Sequence, residues 1–244
     1  IGAYSMAMGP KLLGLDVLGS FRNHTGYDGV FLGLPGSDWH LEFTTSPHPA
    51  AHSFDADDLL EELAQGAAEE IKAKGREEDV GDVGATSYDV ALAALHYFLL
   101  QTGPAKDMIF NPQESLSFTG NTGPYLQYMG ARISSMLRKW DKPLPALNEV
   151  DASLLGEEQA WELVRLISQY PDVVALAARD FDPSRVASYI YELAKGFSRF
   201  YHDLPIITAE TQALAGARLA LSQAVRQVLR HGFRLLNVPF LEAM

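Results

Sequence analysis

The sequence contains no cysteine, which excludes disulfide bonds, thiolate metal ligands and a cysteine nucleophile. It also lacks an uninterrupted apolar run of about 18 residues, so no membrane-spanning helix is predicted. The first residues lack the basic segment and apolar core of a signal peptide. Hydrophobic residues form 47% of the 244-residue chain and charged residues 20%, a composition typical of folded proteins. We therefore expect a globular, acidic, cytoplasmic protein of one or two domains.

Basic residues are few, because 19 lysines and arginines face 31 aspartates and glutamates, for a formal net charge of −12. Such a balance argues against nucleic-acid binding by the surface as a whole. The charge is unevenly distributed, since residues 1–79 hold 14 acidic residues and only 5 basic ones. Residues 195–234 hold six basic residues and two acidic ones. The C-terminal region is therefore where a polyanion could bind.

Two different sequence patterns divide the chain near residue 54. Before it, short alternating runs separated by Gly, Pro and Asn turns predict strands near residues 15–18, 30–32 and 39–43. After it, the apolar period is helical, and an extended or hairpin passage is predicted only over residues 107–117. Helices are predicted over residues 57–74, 87–100, 124–140, 157–169, 183–202 and 209–232. The fold class is therefore mainly α, preceded by a small β-rich N-terminal segment.

Several motifs in one order carry a family resemblance. The stretch ESLSFTGNTGPYLQYMGARI, from Glu114 to Ile133, resembles the passage of class I arginyl-tRNA synthetases where the catalytic domain gives way to the anticodon-binding helical bundle. The segments YELAKGFSRFY, ARLAL and GFRLL, together with Met244, resemble the C-terminal domain of that family. The resemblance implies a helical connector over residues 55–115, similar to the end of the catalytic region. It implies a DALR-type anticodon-binding bundle over residues 116–244.

Aromatic and basic side chains of this region suit single-stranded RNA, whose bases stack on exposed rings beside cations. Tyr125 and Tyr128 are three residues apart on a predicted helix, and Arg132 continues that face one turn further. The resemblance implies that both tyrosines, together with Tyr201 and the terminal methionine Met244, form the anticodon-loop surface. Gln127 is expected close by. A further set of arginines recurs at multiples of four and predicts a phosphate-binding stripe: Arg218, Arg226, Arg230 and Arg234.

The same patterns have structural interpretations. A Tyr-x-x-Tyr pair is also typical of core packing, and an arginine stripe is also typical of a solvated face with ion pairs. The HIGH-type and KMSKS-type signatures of class I synthetases are absent from this sequence. We therefore predict no catalytic residue and no cofactor, since ATP and arginine bind in the family's catalytic domain. The expected partner is an arginine tRNA, with no membrane, and the alternative is a helical protein-interaction scaffold.

The N-terminal segment carries a second resemblance. Residues 13–33 and 39–44 resemble the first half of a glyoxalase/bleomycin-resistance (vicinal oxygen chelate) protein, whose domains pair two βαβββ modules. This implies an incomplete module over residues 1–54, whose open strand edges favour a dimer. His40 and Glu42 alternate to one face of a strand and are the metal-ligand candidates, but two ligands do not complete a site. A metal-dependent lyase or dioxygenase fragment is the corresponding alternative function.

Overall fold

The computed structural model describes residues 16–24, 27–33, 41–45, 56–73, 75–104, 106, 108–145 and 150–244. The chain divides into two compact units, Ile1–Asp55 and Ala56–Met244. In the first unit, the described residues form an antiparallel sheet of order β1-β2-β3. Its strands are β1 (Asp16–His24), β2 (Tyr27–Gly33) and β3 (Leu41–Thr45). Strand β1 continues to His24, which pairs with Tyr27 of β2, and the pairing of these two strands has register shifts near both ends of β1.

The second unit is helical, which confirms the mainly α fold class. Its helices are α1 (Ala56–Ala73), α2 (Glu77–Val80), α3 (Val83–Leu100), α4 (Pro112–Ser115), α5 (Gly123–Lys139), α6 (Glu158–Asp180), α7 (Ser184–Asp203) and α8 (Gln212–Leu235). Side chains cap several of the helices. Thr122 accepts a hydrogen bond from the Tyr125 amide at the start of α5, and Asp182 accepts one from the Ser184 amide before α7.

The prediction of an extended passage over residues 107–117 is wrong where α4 lies. Asn111 caps this short helix by accepting hydrogen bonds from the amides of Gln113 and Glu114, at 3.1 and 3.4 Å. Pro112 occupies the first turn, where a missing amide proton costs nothing. The local capping interactions therefore decide the structure of a stretch that is too short to show a helical period.

Two helices continue past the C-terminal ends that the sequence predicts for them. Helix α6 continues through Pro171 to Asp180, since the proline removes a single backbone donor while the apolar face resumes at Ala177, which is buried. Helix α8 passes Gly232 and ends at Leu235. A Cβ at Gly232 would lie 2.5 Å from Cγ2 of Ile190, so this glycine serves close packing against α7 and does not end the helix.

The core lies among α5, α6, α7 and α8. Phe197, Phe200 and Phe233 are fully buried in it. Two smaller clusters pack α1 against α3, and Phe110 and Phe118 are partly buried there.

Within the described residues, the helix Val83–Leu100 is long and apolar enough to span a membrane by length and composition. Its buried face, which includes Val90 and Tyr97, is that of a core helix.

The segment after α8 folds back across the bundle and is called the C-terminal tail (residues 236–244). Leu236, Val238 and Leu241 are buried in it. The ring of Phe240 lies 5.5 Å from that of Phe233, and a Cβ at Gly130 would lie 2.8 Å from the Phe240 ring. This packing fixes the C-terminal tail alongside α5.

Candidate nucleic-acid interface

A groove of about 620 Å³ lies between α5, the C-terminal end of α7, the turn after α1 and the C-terminal tail. We call it the α5 groove. It brings together four of the residues that the sequence predicts for the anticodon-loop surface: Tyr128, Arg132, Tyr201 and Met244. These come from positions up to 116 residues apart in the sequence, so the fold alone assembles them.

The guanidinium group of Arg132 lies beside two tyrosine rings in this groove. Its Cζ atom is 4.6 Å from the ring centroid of Tyr128 and 5.3 Å from that of Tyr201. One of its NH groups also donates a hydrogen bond of 2.6 Å to the Tyr128 hydroxyl. Tyr201 is 40% exposed. Flat cationic and aromatic groups are therefore held side by side with accessible surface, an arrangement that suits stacking of bases.

Positive charge dominates the groove. Arg76, Arg132, Arg138 and Lys139 line it, and Asp79 is the acidic side chain among the lining residues. Arg76 lies 3.4 Å from the Asp79 carboxylate and donates a hydrogen bond of 3.3 Å to a main-chain oxygen of the terminal residue Met244. The local charge is thus opposite in sign to that of the whole chain, and phosphate groups could bind beside the rings.

A second basic cluster adjoins the groove through Arg138. Arg230 forms an ion pair with Glu242, and the guanidinium of Arg226 lies 3.8 Å from the same carboxylate. Arg138 donates a hydrogen bond of 2.9 Å to the Glu242 backbone carbonyl. Burial lowers the pKa of Arg226, and the charges of Arg230 and Arg138 lower it further. Two arginines therefore share the Glu242 carboxylate, and a third binds the backbone carbonyl of the same residue.

Gln127 is not on the groove surface. Its side chain is fully buried, and its amide nitrogen donates to the backbone carbonyls of Asp89 and Pro239, at 3.1 and 2.9 Å. The expectation that Gln127 takes part in RNA contact is corrected accordingly. This residue instead fastens the C-terminal tail to α3 and α5, and so holds one wall of the groove in place.

Arg218 is also buried, so it does not belong to the predicted phosphate-binding stripe. It is 5% exposed, and it donates to the backbone carbonyl of Pro205 at 2.6 Å and to the carboxylate of Glu157. Burial alone would raise the pKa of Glu157, but the hydrogen bond from Arg218 brings it below its ordinary value. Arg218 therefore ties α8 to the start of α6, while Arg226 and Arg230 lie on the basic cluster and Arg234 is exposed.

Tyr125 faces a different helix from Tyr128. Its ring contacts that of Tyr191 on α7 edge to face, with centroids 5.9 Å apart. Burial and the neighbouring Tyr191 raise its pKa, while a hydrogen bond with Ser198 opposes that shift. The structure therefore does not place Tyr125 among the residues that line the groove, although the two tyrosines are only three residues apart.

Four further residues that were not predicted from the sequence also line the groove: Arg76, Ser135, Arg138 and Lys139. A signal existed for two of them, because Tyr128, Arg132, Ser135 and Lys139 follow one another at intervals of four, three and four along α5. No such signal existed for Arg76, which lies in a short polar stretch between α1 and α2. Its position depends on how α1 packs against α3.

The metal-ligand candidates receive no added ligand from the described residues. Glu42 lies in β3, paired in register with Phe31 of β2, and His40 falls outside the described residues. Among the residues that the structure describes, no group of three or more His, Asp or Glu side chains could hold a metal ion. The pair alone does not make a metal site, and no metal-dependent step follows from it.

Two family models match the chain. The DALR anticodon binding domain matches residues 126–244, and the YycE-like N-terminal domain matches residues 5–44. The first includes α5 from its fourth residue and everything after it, and therefore most residues of the α5 groove. The second covers the three strands of the first unit up to residue 44.

Two of the curated relatives that this chain matches are arginine–tRNA ligases. The arginine–tRNA ligase of Treponema pallidum is 52% identical over 194 residues, which are 78% of this chain and 33% of that protein. The enzyme of the same description from Borreliella burgdorferi is 38% identical over 191 residues, covering 78% and 32%. The chain thus spans about one third of the length of the curated relatives that it matches.

Solved structures show the same helical fold. The arginyl-tRNA synthetase of Thermus thermophilus superposes with a TM-score of 0.73 at 30% identity, over 81% of this chain and 34% of that one. The arginyl-tRNA synthetase of Plasmodium falciparum superposes with a TM-score of 0.70 at 22% identity, over 79% and 34%. The likeness covers the helical part, in which the α5 groove lies.

Proposed function

We propose that the DALR-type domain of residues 126–244, with the helices before it, is a tRNA-binding module that holds the anticodon arm in the α5 groove. The observation that carries this proposal is the guanidinium of Arg132, placed 4.6 Å and 5.3 Å from the rings of Tyr128 and Tyr201 in a groove lined by cations. The match to the DALR anticodon binding domain supports it independently.

The groove suits an unpaired RNA loop because it offers both kinds of contact that such a loop requires. Loop bases are unstacked from a duplex, so they can stack on the Tyr201 ring or on the Arg132 guanidinium plane. Arg76 and Lys139, at the same groove, can contact the phosphates that link those bases. Stacking adds affinity for the loop bases, and the cations bind and orient the backbone phosphates.

The relatives are named arginine–tRNA ligases, so the proposed ligand is an arginine tRNA. Aminoacylation itself is not proposed, because this chain carries neither of the ATP-binding signatures of class I synthetases. The chain would act by docking the tRNA, in the cytoplasm where translation uses it. Binding, and not turnover, is therefore the property to measure.

A titration of labelled arginine tRNA tests the proposal. We expect the chain to bind this tRNA more tightly than other tRNAs, with log affinity falling against log salt with a slope of about −3, for four cations on single-stranded phosphates. The matched control is the same tRNA carrying the anticodon loop of another tRNA, which should lose the preference. Equal affinity for all three RNAs at moderate salt would contradict the proposal.

For the first unit, we propose an incomplete glyoxalase-like βαβββ module that pairs with a second copy of the chain. Its order β1-β2-β3 leaves one side of β1 and one side of β3 unpaired among the described strands, and such edges favour strand addition. The YycE-like match to residues 5–44 supports the module. Sedimentation velocity of the full chain should then show a dimer, and a monomer at all concentrations would contradict this pairing.

A further inference from the structure

The basic cluster beside the α5 groove is occupied by a side chain of the protein itself. The Glu242 carboxylate is paired with Arg230 and lies 3.8 Å from Arg226, while Arg138 binds the backbone carbonyl of Glu242. Glu242 and Arg230 have half-exposed side chains, with 50% and 45% of their surfaces accessible. The cluster is therefore open to a ligand from solvent.

The tail does not depend on this carboxylate for its position. Phe240 packs on Phe233, Leu241 is buried, and the backbone carbonyls of Pro239 and Glu242 accept hydrogen bonds from Gln127 and Arg138. A change confined to the carboxylate therefore leaves the tail and the groove wall in place. The Glu242 charge serves some purpose other than holding the tail.

We propose that the Glu242 carboxylate occupies the site of a tRNA backbone phosphate and gives way to it when tRNA binds, which makes Glu242 a specificity-determining residue. This rests on the proposed function. A phosphate that enters meets Arg226, Arg230 and Arg138, and arginine binds phosphate through paired hydrogen bonds. In the free protein, the carboxylate offsets part of the positive charge and so weakens binding to any polyanion.

The energies favour such an exchange. An exposed carboxylate–arginine pair contributes about 0–1 kcal/mol, so displacing it costs little. Two net positive charges remain at the cluster, since it holds three arginines and one carboxylate. A tRNA that also stacks in the α5 groove gains enough binding energy there to offset the cost of displacing the Glu242 carboxylate. An RNA that binds through phosphates alone has no stacking energy, so the same cost removes a larger share of its affinity.

Replacing Glu242 by glutamine tests the inference, because it removes the charge and keeps the shape. We expect arginine tRNA to bind about two- to fivefold more tightly, with a salt slope steeper by about one. Other tRNAs should gain more than arginine tRNA does, so the ratio of affinities between arginine tRNA and the others falls. Each variant is measured by fluorescence anisotropy at several salt concentrations, after its melting temperature is shown to match the wild type.

Glu192→Gln is the matched control. It removes one negative charge from another exposed ion pair, with Lys195 at 3.1 Å, among residues that do not line the α5 groove. It should leave tRNA affinity and selectivity unchanged. Equal effects of both variants, or an unchanged or lower affinity of Glu242→Gln, would overturn this inference while leaving the proposed function intact. Failure of the wild type to bind tRNA would instead contradict the proposed function itself.

Discussion

Replacing Gly123 by alanine is expected to lower the free energy of unfolding by about 3 kcal/mol, the upper end of the usual cost of overpacking. Gly123 begins α5, and a Cβ there would lie 2.1 Å from the backbone oxygen of Ala93 and 2.5 Å from its carbonyl carbon. Both atoms belong to the backbone of α3, so no side-chain rotation can relieve the contact. Helix α5 or helix α3 must move, and the α5 groove with it.

Gly216→Ala is the matched control, because it adds the same methyl group to a glycine inside α8. There the new Cβ would lie 3.5 Å from Cγ of Pro145, an ordinary contact. Helix propensity then favours the alanine by about 1 kcal/mol. Urea unfolding followed by circular dichroism should show one variant less stable than the wild type and the other more stable. Equal stability of Gly123→Ala and the wild type would contradict the close approach of α5 to α3.

Replacing Tyr128 and Tyr201 together by alanine is expected to weaken arginine tRNA binding by about 30-fold. Removing an aromatic ring from a base stack costs about 1–3 kcal/mol. A loss of about 1 kcal/mol for each of the two rings gives about 2 kcal/mol in total, which corresponds to the 30-fold weaker binding. The loss should be the same at low and high salt, because the rings carry no charge. A titration by fluorescence anisotropy measures it directly.

Tyr88→Ala is the control for this pair. Tyr88 is 48% exposed on α3, so its ring is as accessible as that of Tyr201, but it does not line the α5 groove. Its replacement should leave tRNA affinity unchanged. The assignment of stacking to the groove would fail if Tyr88→Ala lost as much affinity as the double variant, or if the double variant bound like the wild type.

The helical fold was predictable because its signals are local or periodic. The apolar period gives the helices, and buried rings such as Phe197 and Phe233 recur on it. The ends of α6 and α8 were not predictable, since Pro171 and Gly232 usually interrupt helices. Here the proline costs one backbone donor, and the glycine accommodates Ile190 of a neighbouring helix. Both outcomes depend on packing between helices.

The candidate site was predictable in part for the same reason. The spacing along α5 indicates Tyr128 and Arg132, because one helix carries both. The spacing of Arg218, Arg226 and Arg230 could not show that the first lies beneath Pro205 and Glu157 while the others lie on the tail. Because an α-helix has about 3.6 residues per turn, steps of four drift around its surface, by about 80° from Arg218 to Arg226 and about 120° from Arg218 to Arg230, so these arginines face different neighbours of α8. Gln127 was misplaced because its partners are backbone carbonyls, which no side-chain pattern reveals.

Nuclease footprinting of end-labelled arginine tRNA tests whether the α5 groove holds the anticodon arm, because it shows which nucleotides the chain covers. The measurement compares cleavage of the free tRNA with cleavage in the presence of saturating wild-type chain, and then of the Tyr128 and Tyr201 double variant at the same concentration. We expect protection of the anticodon loop by the wild type and its loss with the variant. Protection confined to the acceptor stem, or no protection at all, would contradict binding of the anticodon arm in the α5 groove.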